Sequence, residues 1–326
     1  MPRVARPINR IGVLTSGGDS PGMNAAIRSV VRTAIFRGVE VMGIFRGYAG
    51  LIEGELQLLD HRSVSNIINR GGTILRTARC EEFKTRDGQR KAVEIIKKYC
   101  IDALVVIGGD GSYRGAHALD SYWGIPTIGV PGTIDNDVRG TTKTIGCDTA
   151  VHTALEAIDK IRDTATSLER IFVVEVMGRS SGFIAMNVAL GGGAEECLIP
   201  ERKFSLAHMC KDIEDGNKKG KASWIIIVAE GAASAQVIAD KITKITKLET
   251  RVTVLGHIQR GGIPTAPDRI LAIRLGSAAV DLLLKGRHGK AVGIIGDKLN
   301  VVDLKFACQK RKLDVNAFYK LIRIVT

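Results

Sequence analysis

Short apolar runs alternate with stretches of helical periodicity along the whole chain, and this alternation constrains the fold more than any other feature. Seven runs read as buried strands: IGVLT (11–15), VEVMGIF (39–45), ALVVIGG (103–109), IPTIGVP (125–131), IFVVEVMG (171–178), WIIIVAE (224–230) and RVTVLG (251–256). Continuous apolar strands separated by helices belong to parallel sheets covered on both faces, so the expected fold class is α/β, doubly wound. Many of the runs end in glycine or an acidic residue, and open α/β sheets bind ligands just beyond the carboxyl ends of their strands. At roughly 100–200 residues per domain, 326 residues imply two domains. The strand–glycine turn–helix unit recurs in both halves, although identity between the recurrences is too weak for a repeat.

Charge and composition exclude several classes. Lys and Arg number 47 against 34 Asp and Glu, a net charge of +13. Over residues 285–326 basic residues outnumber acidic ones ten to three, without interleaved aromatics or zinc-finger spacing. That stretch reads as a solvated basic tail, and no nucleic-acid partner is expected. No apolar run approaches the ~18–20 residues that span a bilayer. The basic N-terminus leads into a strand and a glycine turn rather than a signal-peptide core. A cytoplasmic protein without a membrane partner is expected. The cysteines at 80, 100, 147, 197, 210 and 308 show neither CxxC pairing nor Cys/His ligand spacing, so they read as free thiols and not as a zinc site.

In LTSGGDSPGMNAAIR (14–28) a strand runs into Gly17–Gly18, with Asp19–Ser20 expected as N-cap and Pro21 as first helical residue. Met23, Ala26, Ile27, Val30, Val31 and Ala34 follow at helical spacing, and Gly38 fits the stop. The double glycine is either a tight turn or a loop whose N–H groups approach phosphate at a helix N-terminus. The helix carries Arg28 and Arg32 one turn apart. Like charges so placed disfavour a bare helix, so either an anion binds between them or both are solvated.

ALVVIGGDGSYRGA (103–116) ends an apolar strand in Gly108–Gly109–Asp110–Gly111–Ser112. It is neither a Walker A loop nor a GxGxxG fingerprint. Its glycines leave room for a phosphate chain, and Asp110 suits Mg²⁺, which takes carboxylate oxygen together with substrate phosphates; a plain β-turn is the alternative. IGVPGTIDNDVRGTTKTIG (128–146) sets Asp135 and Asp137 in one loop with Thr133 and Asn136. Carboxylates so close must share cations or protons, which suits a general base beside a metal–phosphate centre as well as a polar turn. GRSSG (178–182), AEG (229–231) and LGHIQRGG (255–262) stand at further strand ends. Arg170, Arg179, Arg251 and Arg260 could grip sugar-phosphate oxygens bidentately, and Glu230 could accept from a sugar hydroxyl. His257 alone reads better as a structural histidine.

LTSGGDSPGMNAAIR, IGGDGS, PGTIDND, VVEVMGR and LGHIQRGG, in this order and spacing, resemble the bacterial ATP-dependent 6-phosphofructokinase family over nearly the whole chain, to about residue 300. The resemblance implies two similar doubly wound domains with mostly parallel central sheets. It also implies transfer of the ATP γ-phosphoryl to the 1-hydroxyl of fructose 6-phosphate, a step of glycolysis, with Mg²⁺ as cofactor. By the resemblance Asp135 is the base with Asp137 beside it, and Asp110 is the magnesium ligand. Thr133, Arg179 and Arg79 would support the charge moved in transfer. Gly18, Tyr48, Arg79, Cys80, Phe83, Gly109, Asp110, Gly111 and Ser112 fall at ATP positions. Thr133, Asp135, Arg170, Met177, Gly178, Arg179, Glu230, Arg251, His257 and Arg260 match the sugar-phosphate pocket. In relatives the arginines matching Arg170 and Arg251 come from a neighbouring subunit, which implies a homotetramer.

The resemblance also bears on donor and regulation. Gly111 and Gly132 leave space for the α-phosphate and nucleoside of ATP, where pyrophosphate-dependent relatives commonly carry larger or charged residues. Arg28, Arg32, Arg162, Lys219 and Lys221, with Glu195, match a basic effector pocket for ADP or phosphoenolpyruvate. Glu55 stands where well-known relatives have arginine, and a carboxylate there would weaken anion binding. The family's division puts a larger ATP-binding domain at 1–145 plus 258–308 and a smaller fructose 6-phosphate-binding domain at 146–257 plus 309–326. A catalytically silent subunit would have little reason to keep Asp110, Asp135 and Asp137 together.

Overall fold

The computed structural model describes residues 7–311 and 313–325. Along the chain the elements are β1 (Arg10–Ser16), α1 (Met23–Phe36), β2 (Glu40–Ile44), α2 (Tyr48–Glu53), β3 (Leu56–Leu59), α3 (Arg86–Lys98), β4 (Ala103–Gly108), α4 (Asp110–Trp123), β5 (Thr127–Pro131) and α5 (Cys147–Leu168). They continue with β6 (Ile171–Val176), α6 (Phe183–Gly191), β7 (Glu196–Leu198), α7 (Leu206–Lys218), β8 (Trp224–Ala229), α8 (Ala235–Thr246) and β9 (Thr250–Val254). A 3-10 turn at Gly256–Arg260 leads to α9 (Ala266–Leu284), β10 (Lys290–Ile295), β11 (Lys298–Asp303), α10 (Leu304–Ala307) and α11 (Val315–Val325). The chain divides into two compact units, Met1–Thr149 with Arg260–Arg311, and Ala150–Gln259 with Lys312–Thr326.

The first unit is built on a seven-stranded sheet in the order β11-β10-β5-β4-β1-β2-β3. Its strands run parallel except at the two edges, where β11 and β3 are antiparallel. The two-residue period of a strand sends alternate side chains to opposite faces. Ile11, Val13, Val105 and Ile107 thus pack with Val30 and Val31 of α1 and Leu275 and Val280 of α9. Leu14, Leu104 and Val106 face the other way, onto Leu51, Ile96 and Leu119. The second unit carries a four-stranded parallel sheet, β7-β8-β6-β9. Trp224, Ile226 and Val228 of β8 are buried there with Met209 and Ile213 of α7 and Ile238 and Ile242 of α8.

Each of the seven apolar runs holds a strand, and four strands escaped the sequence reading: β3, β7, β10 and β11. Two expectations are corrected. The cap of α1 is Gly22, at φ 101° and without a side-chain hydrogen bond, rather than Asp19–Ser20, and the helix begins at Met23 beyond Pro21. Ser20 is instead fully buried, its carbonyl accepting from the Met23 N–H at 3.2 Å in a turn that precedes the helix. The basic C-terminal stretch is no solvated tail: β10 and β11 complete the first sheet, and α10 packs its Leu304 and Ala307 into the core. Residues 312 and 326 of that stretch, and 1–6 of the other terminus, lie outside the described residues. Among the described residues no helix is long and apolar enough to cross a membrane.

Candidate active site

Three adjacent parallel strands of the first unit, β1, β4 and β5, end in three loops at the same edge of the sheet. Ser16 is level with Gly108 and Gly108 with Pro131, so the glycine turns and the aspartate loop are neighbours by register. Contacts join them: Ser112 Oγ donates to the Ser16 carbonyl at 2.9 Å, and the Gly132 N–H to the Gly108 carbonyl at 3.0 Å. A side chain at Gly108 would collide with Ser112 and Ser16, which is why this turn is closed by glycine. Arg260 arrives over the first turn, against Gly18, donating to the Asp19 carbonyl at 3.2 Å. The Thr77 hydroxyl donates to the Gly17 carbonyl at 2.8 Å, pinning the loop that carries exposed Arg79 and half-buried Cys80.

The carboxylates form an acidic group. Asp110 opens α4, pairing with Arg114 one turn on at 2.6 Å. Asp135 is set by its own N–H, which donates to Thr133 Oγ1 at 3.2 Å. Asp137 is largely buried, and its Oδ1 has no hydrogen-bond partner among the described residues. Burial first, then the charges of Asp135 and Asp110, push the Asp137 carboxyl up to about 6. Asp135 and Asp110 thus lie close enough to Asp137 for their charges to add to the effect of its burial.

The remaining expected ATP residues divide. Gly109 lies beside Thr133, and the outward side of Gly111 is open, with nothing within 4 Å of an added Cβ. An added Cβ at Gly132 would meet Ile107 Cγ2 at 3.0 Å and Met23 Cε at 3.1 Å, so a side chain there would need these core neighbours to give by a few tenths of an ångström. Tyr48 and Phe83 stack on each other at 4.0 Å and are nearly completely buried. They form the wall behind the turn, Tyr48 donating to the Ser112 carbonyl at 2.7 Å, and offer no open ring face.

In the second unit, Met177, Gly178 and Arg179 follow β6, Glu230 follows β8 and His257 follows β9, all at the carboxyl edge of one parallel sheet. Arg179, Glu230 and His257 are exposed, and Met177 is buried. Gly231 lets its strand end approach the Arg179 carbonyl closely enough to exclude a side chain. Arg170 and Arg251 lie at the other edge: Arg170 precedes β6, and Arg251 is level with Phe172. Both pair with Glu249, Arg170 at 2.8 Å. Six residues of strand, ~20 Å at ~3.3 Å each, separate Arg170 from Met177.

The phosphofructokinase family model matches residues 10–283. The ATP-dependent 6-phosphofructokinase of Halothermothrix orenii is 55% identical over 331 residues, covering 98% of this chain and all of that one. That of Shouchella clausii is 59% identical over 292 residues, covering 90% and 91%. The chain belongs to the phosphofructokinase family. Among solved structures, phosphofructokinase from Saccharomyces cerevisiae superposes with a TM-score of 0.85 at 38% identity, over 92% of this chain and 45% of the longer yeast chain. The expected phosphofructokinase-like α/β fold, with mostly parallel sheets, is borne out.

The residues matched to the family's effector pocket sit in both units. On α1, burial and the neighbouring Arg32 hold the Arg28 guanidinium below its ordinary value, and Arg32 Nε is buried without a partner among the described residues. In the second unit Arg162 donates to the Gly192 and Gly193 carbonyls at 2.5 and 2.7 Å, Lys221 pairs with Glu195 at 3.1 Å, and Lys219 is exposed at the end of α7. Glu55 forms an ion pair with Arg46 at 2.6 Å, which holds its carboxyl below the usual range.

Sequence reading missed the residues that hold this phosphofructokinase's loops. Buried Asn24 donates to the Arg70 and Gly71 carbonyls and accepts from the Ile74 N–H at 2.8 Å, shaping the loop before Arg79. Arg311 donates its backbone N–H to the Asp137 carbonyl at 3.2 Å and its guanidinium to the Thr142 carbonyl at 3.1 Å. Gln259 lies fully buried inside LGHIQRGG. For Asn24 and Gln259 the only signal was a polar side chain within an otherwise apolar or motif-bearing stretch, and Arg311, inside a run of basic residues, gave none.

Proposed function

We propose that this chain transfers the γ-phosphoryl of ATP to the 1-hydroxyl of fructose 6-phosphate, the activity that the names of its relatives state. The observation that carries the reading is the acidic group of Asp110, Asp135 and Asp137 beyond β4 and β5, beside two glycine turns that leave backbone exposed to phosphate. Asp135 takes the proton of the attacking hydroxyl, held toward it by the Thr133 turn. Arg79, Arg179 and Thr133 balance the charge that moves, since phosphoryl transfer needs positioning and neutralisation more than covalent chemistry.

Mg²⁺ fits the donor set. Asp110 and the unpartnered, buried Oδ1 of Asp137 are hard oxygen donors in a site with surplus negative charge. Among the described residues no group of three or more His, Cys, Asp and Glu could hold a metal unaided. A magnesium ion shared with substrate phosphates needs no such cage. When bound, the ion supplies neutralisation of the phosphoryl oxygens.

In this reading the first unit binds ATP, with Gly18, Gly109, Gly111 and Ser112 along the phosphates. The second binds the sugar phosphate through Met177, Gly178, Arg179, Glu230 and His257. The donor argument rests mainly on Gly111, whose outward side is open, because Gly132 also abuts the core side chains Ile107 and Met23. Arg170 and Arg251 lie at the opposite end of the strands from the other sugar-phosphate residues of their own sheet, which supports their serving another subunit's site in a homotetramer. ADP or phosphoenolpyruvate is the effector proposed for Arg28, Arg32, Arg162, Lys219 and Lys221. The enzyme works in the cytoplasm in this reading.

The test is formation of fructose 1,6-bisphosphate from fructose 6-phosphate and Mg²⁺ with ATP and pyrophosphate supplied in parallel. Product with ATP alone is expected. Product with pyrophosphate alone would overturn the donor assignment, and none with either would leave a non-catalytic binding subunit.

A further inference from the structure

Gln259 is a large polar side chain with 0% exposure, at the end of the first of the two segments that make up the second unit. Both ends of its amide are used. Its Nε2 donates to the Gly256 carbonyl at 3.0 Å, and its Oε1 accepts from the Met177 N–H at 3.3 Å. Gly256 begins the 3-10 turn that carries His257, and Met177 begins the turn that carries Gly178 and Arg179. One amide thereby joins two loops that leave different strands, β9 and β6.

We propose that Gln259 is a positioning residue that acts on fructose 6-phosphate binding by fixing the His257 turn against the Met177–Arg179 turn; this rests on the proposed assignment of those residues to the sugar-phosphate pocket. The alternatives at this position fail for simple reasons. An apolar side chain leaves the buried Met177 N–H and the half-buried Gly256 carbonyl unpaired, which costs more than a lost hydrogen bond. Ionised glutamate keeps the acceptor for Met177 but sets a carboxylate against the Gly256 carbonyl. Protonated glutamate regains a donor and restores both contacts. Burial raises the pKa of such a glutamate above its ordinary value of about 4.3, bringing the recovery into a measurable range.

The experiment compares wild type, Gln259→Leu, Gln259→Glu, His257→Ala and the Gln259→Leu/His257→Ala double variant. It measures kcat and the KM for fructose 6-phosphate and for ATP, from about pH 5.5 to 8.5, with circular dichroism as a fold control. Gln259→Leu should raise the fructose 6-phosphate KM about tenfold, leaving kcat and the ATP KM within about threefold. Gln259→Glu should resemble Gln259→Leu at pH 8.5 and approach wild type as pH falls through the raised pKa. In the His257→Ala background Gln259→Leu should have a smaller effect. A Gln259→Leu protein with unchanged KM, a Gln259→Glu protein without pH-dependent recovery, or full additivity with His257→Ala each overturns the positioning role. If His257→Ala itself leaves the fructose 6-phosphate KM unchanged, the pocket assignment fails instead. Should Gln259→Leu not fold, Gln259→Glu at the two pH extremes decides alone.

Discussion

Asp137 shows how far single residues can be read. Its place two positions after Asp135 was legible, because both carboxylates lie in one short loop after an apolar strand. Its raised pKa was not, since that depends on burial and on Asp110, which arrives from another strand. The same limit hid Gln259 and Asn24, whose partners lie 82 and about 50 residues away. A folded carboxyl titrating at about 6 against an ordinary 3.8 binds its proton more tightly than the unfolded chain does. Its contribution to stability is therefore complete below pH 3.8 and is lost as pH rises toward 6. In protein freed of Mg²⁺ and nucleotide, Asp137→Asn should raise stability at pH 7 by about 1–3 kcal/mol and flatten the decline between these pH values. Urea unfolding at pH 4.5 and 7 checks this. An Asp137→Asn protein less stable than wild type at pH 7 would contradict the burial argument.

At the scale of elements, strands buried on both faces were readable and peripheral ones were not. β3, at a sheet edge, has two exposed residues among its four, and β7 has only three residues, too few for a pattern. β10 and β11 were hidden differently, by a surplus of Lys and Arg that read as a tail. That charge is used locally: Lys290 pairs with Asp303 across the two strands, and Arg311 reaches the loop of Asp135 and Asp137. Burial holds the Arg311 guanidinium below its ordinary value, as for a side chain committed to a structural role. Arg311→Ala should loosen the Asp135 loop and lower kcat about tenfold, with smaller changes in either KM. Arg311→Lys should recover little, because a single ammonium on a flexible stem does not reproduce the planar fork. Steady-state kinetics of the two variants, with thermal melts to follow stability, would expose an Arg311 that matters only for folding: Tm would fall while kcat stayed level.

At the scale of the whole molecule, the sheet of the second unit separates its basic residues into two sets. Arg179 and His257 lie at its carboxyl edge, and Arg170 and Arg251 lie a strand length away, both held by Glu249. A phosphate bound beside Met177 and Glu230 cannot also be gripped by Arg170 of the same sheet across ~20 Å. A site using all of these residues must therefore draw Arg170 and Arg251 from a second copy, and closed symmetric assemblies make that exchange reciprocal. Two variants should then rescue one another. Asp135→Ser lacks the proposed base but keeps Arg170, and Arg170→Ser has the reverse defect. Each alone should be nearly inactive at low fructose 6-phosphate. Coexpressed or refolded together at equal amounts, random pairing would leave about one quarter of the sites with both residues intact. Activity near that fraction of wild type, absent when separately folded variants are merely mixed, is the expected result. Were Arg170 to serve the site of its own chain, every site would lack one residue or the other, and mixing would restore nothing.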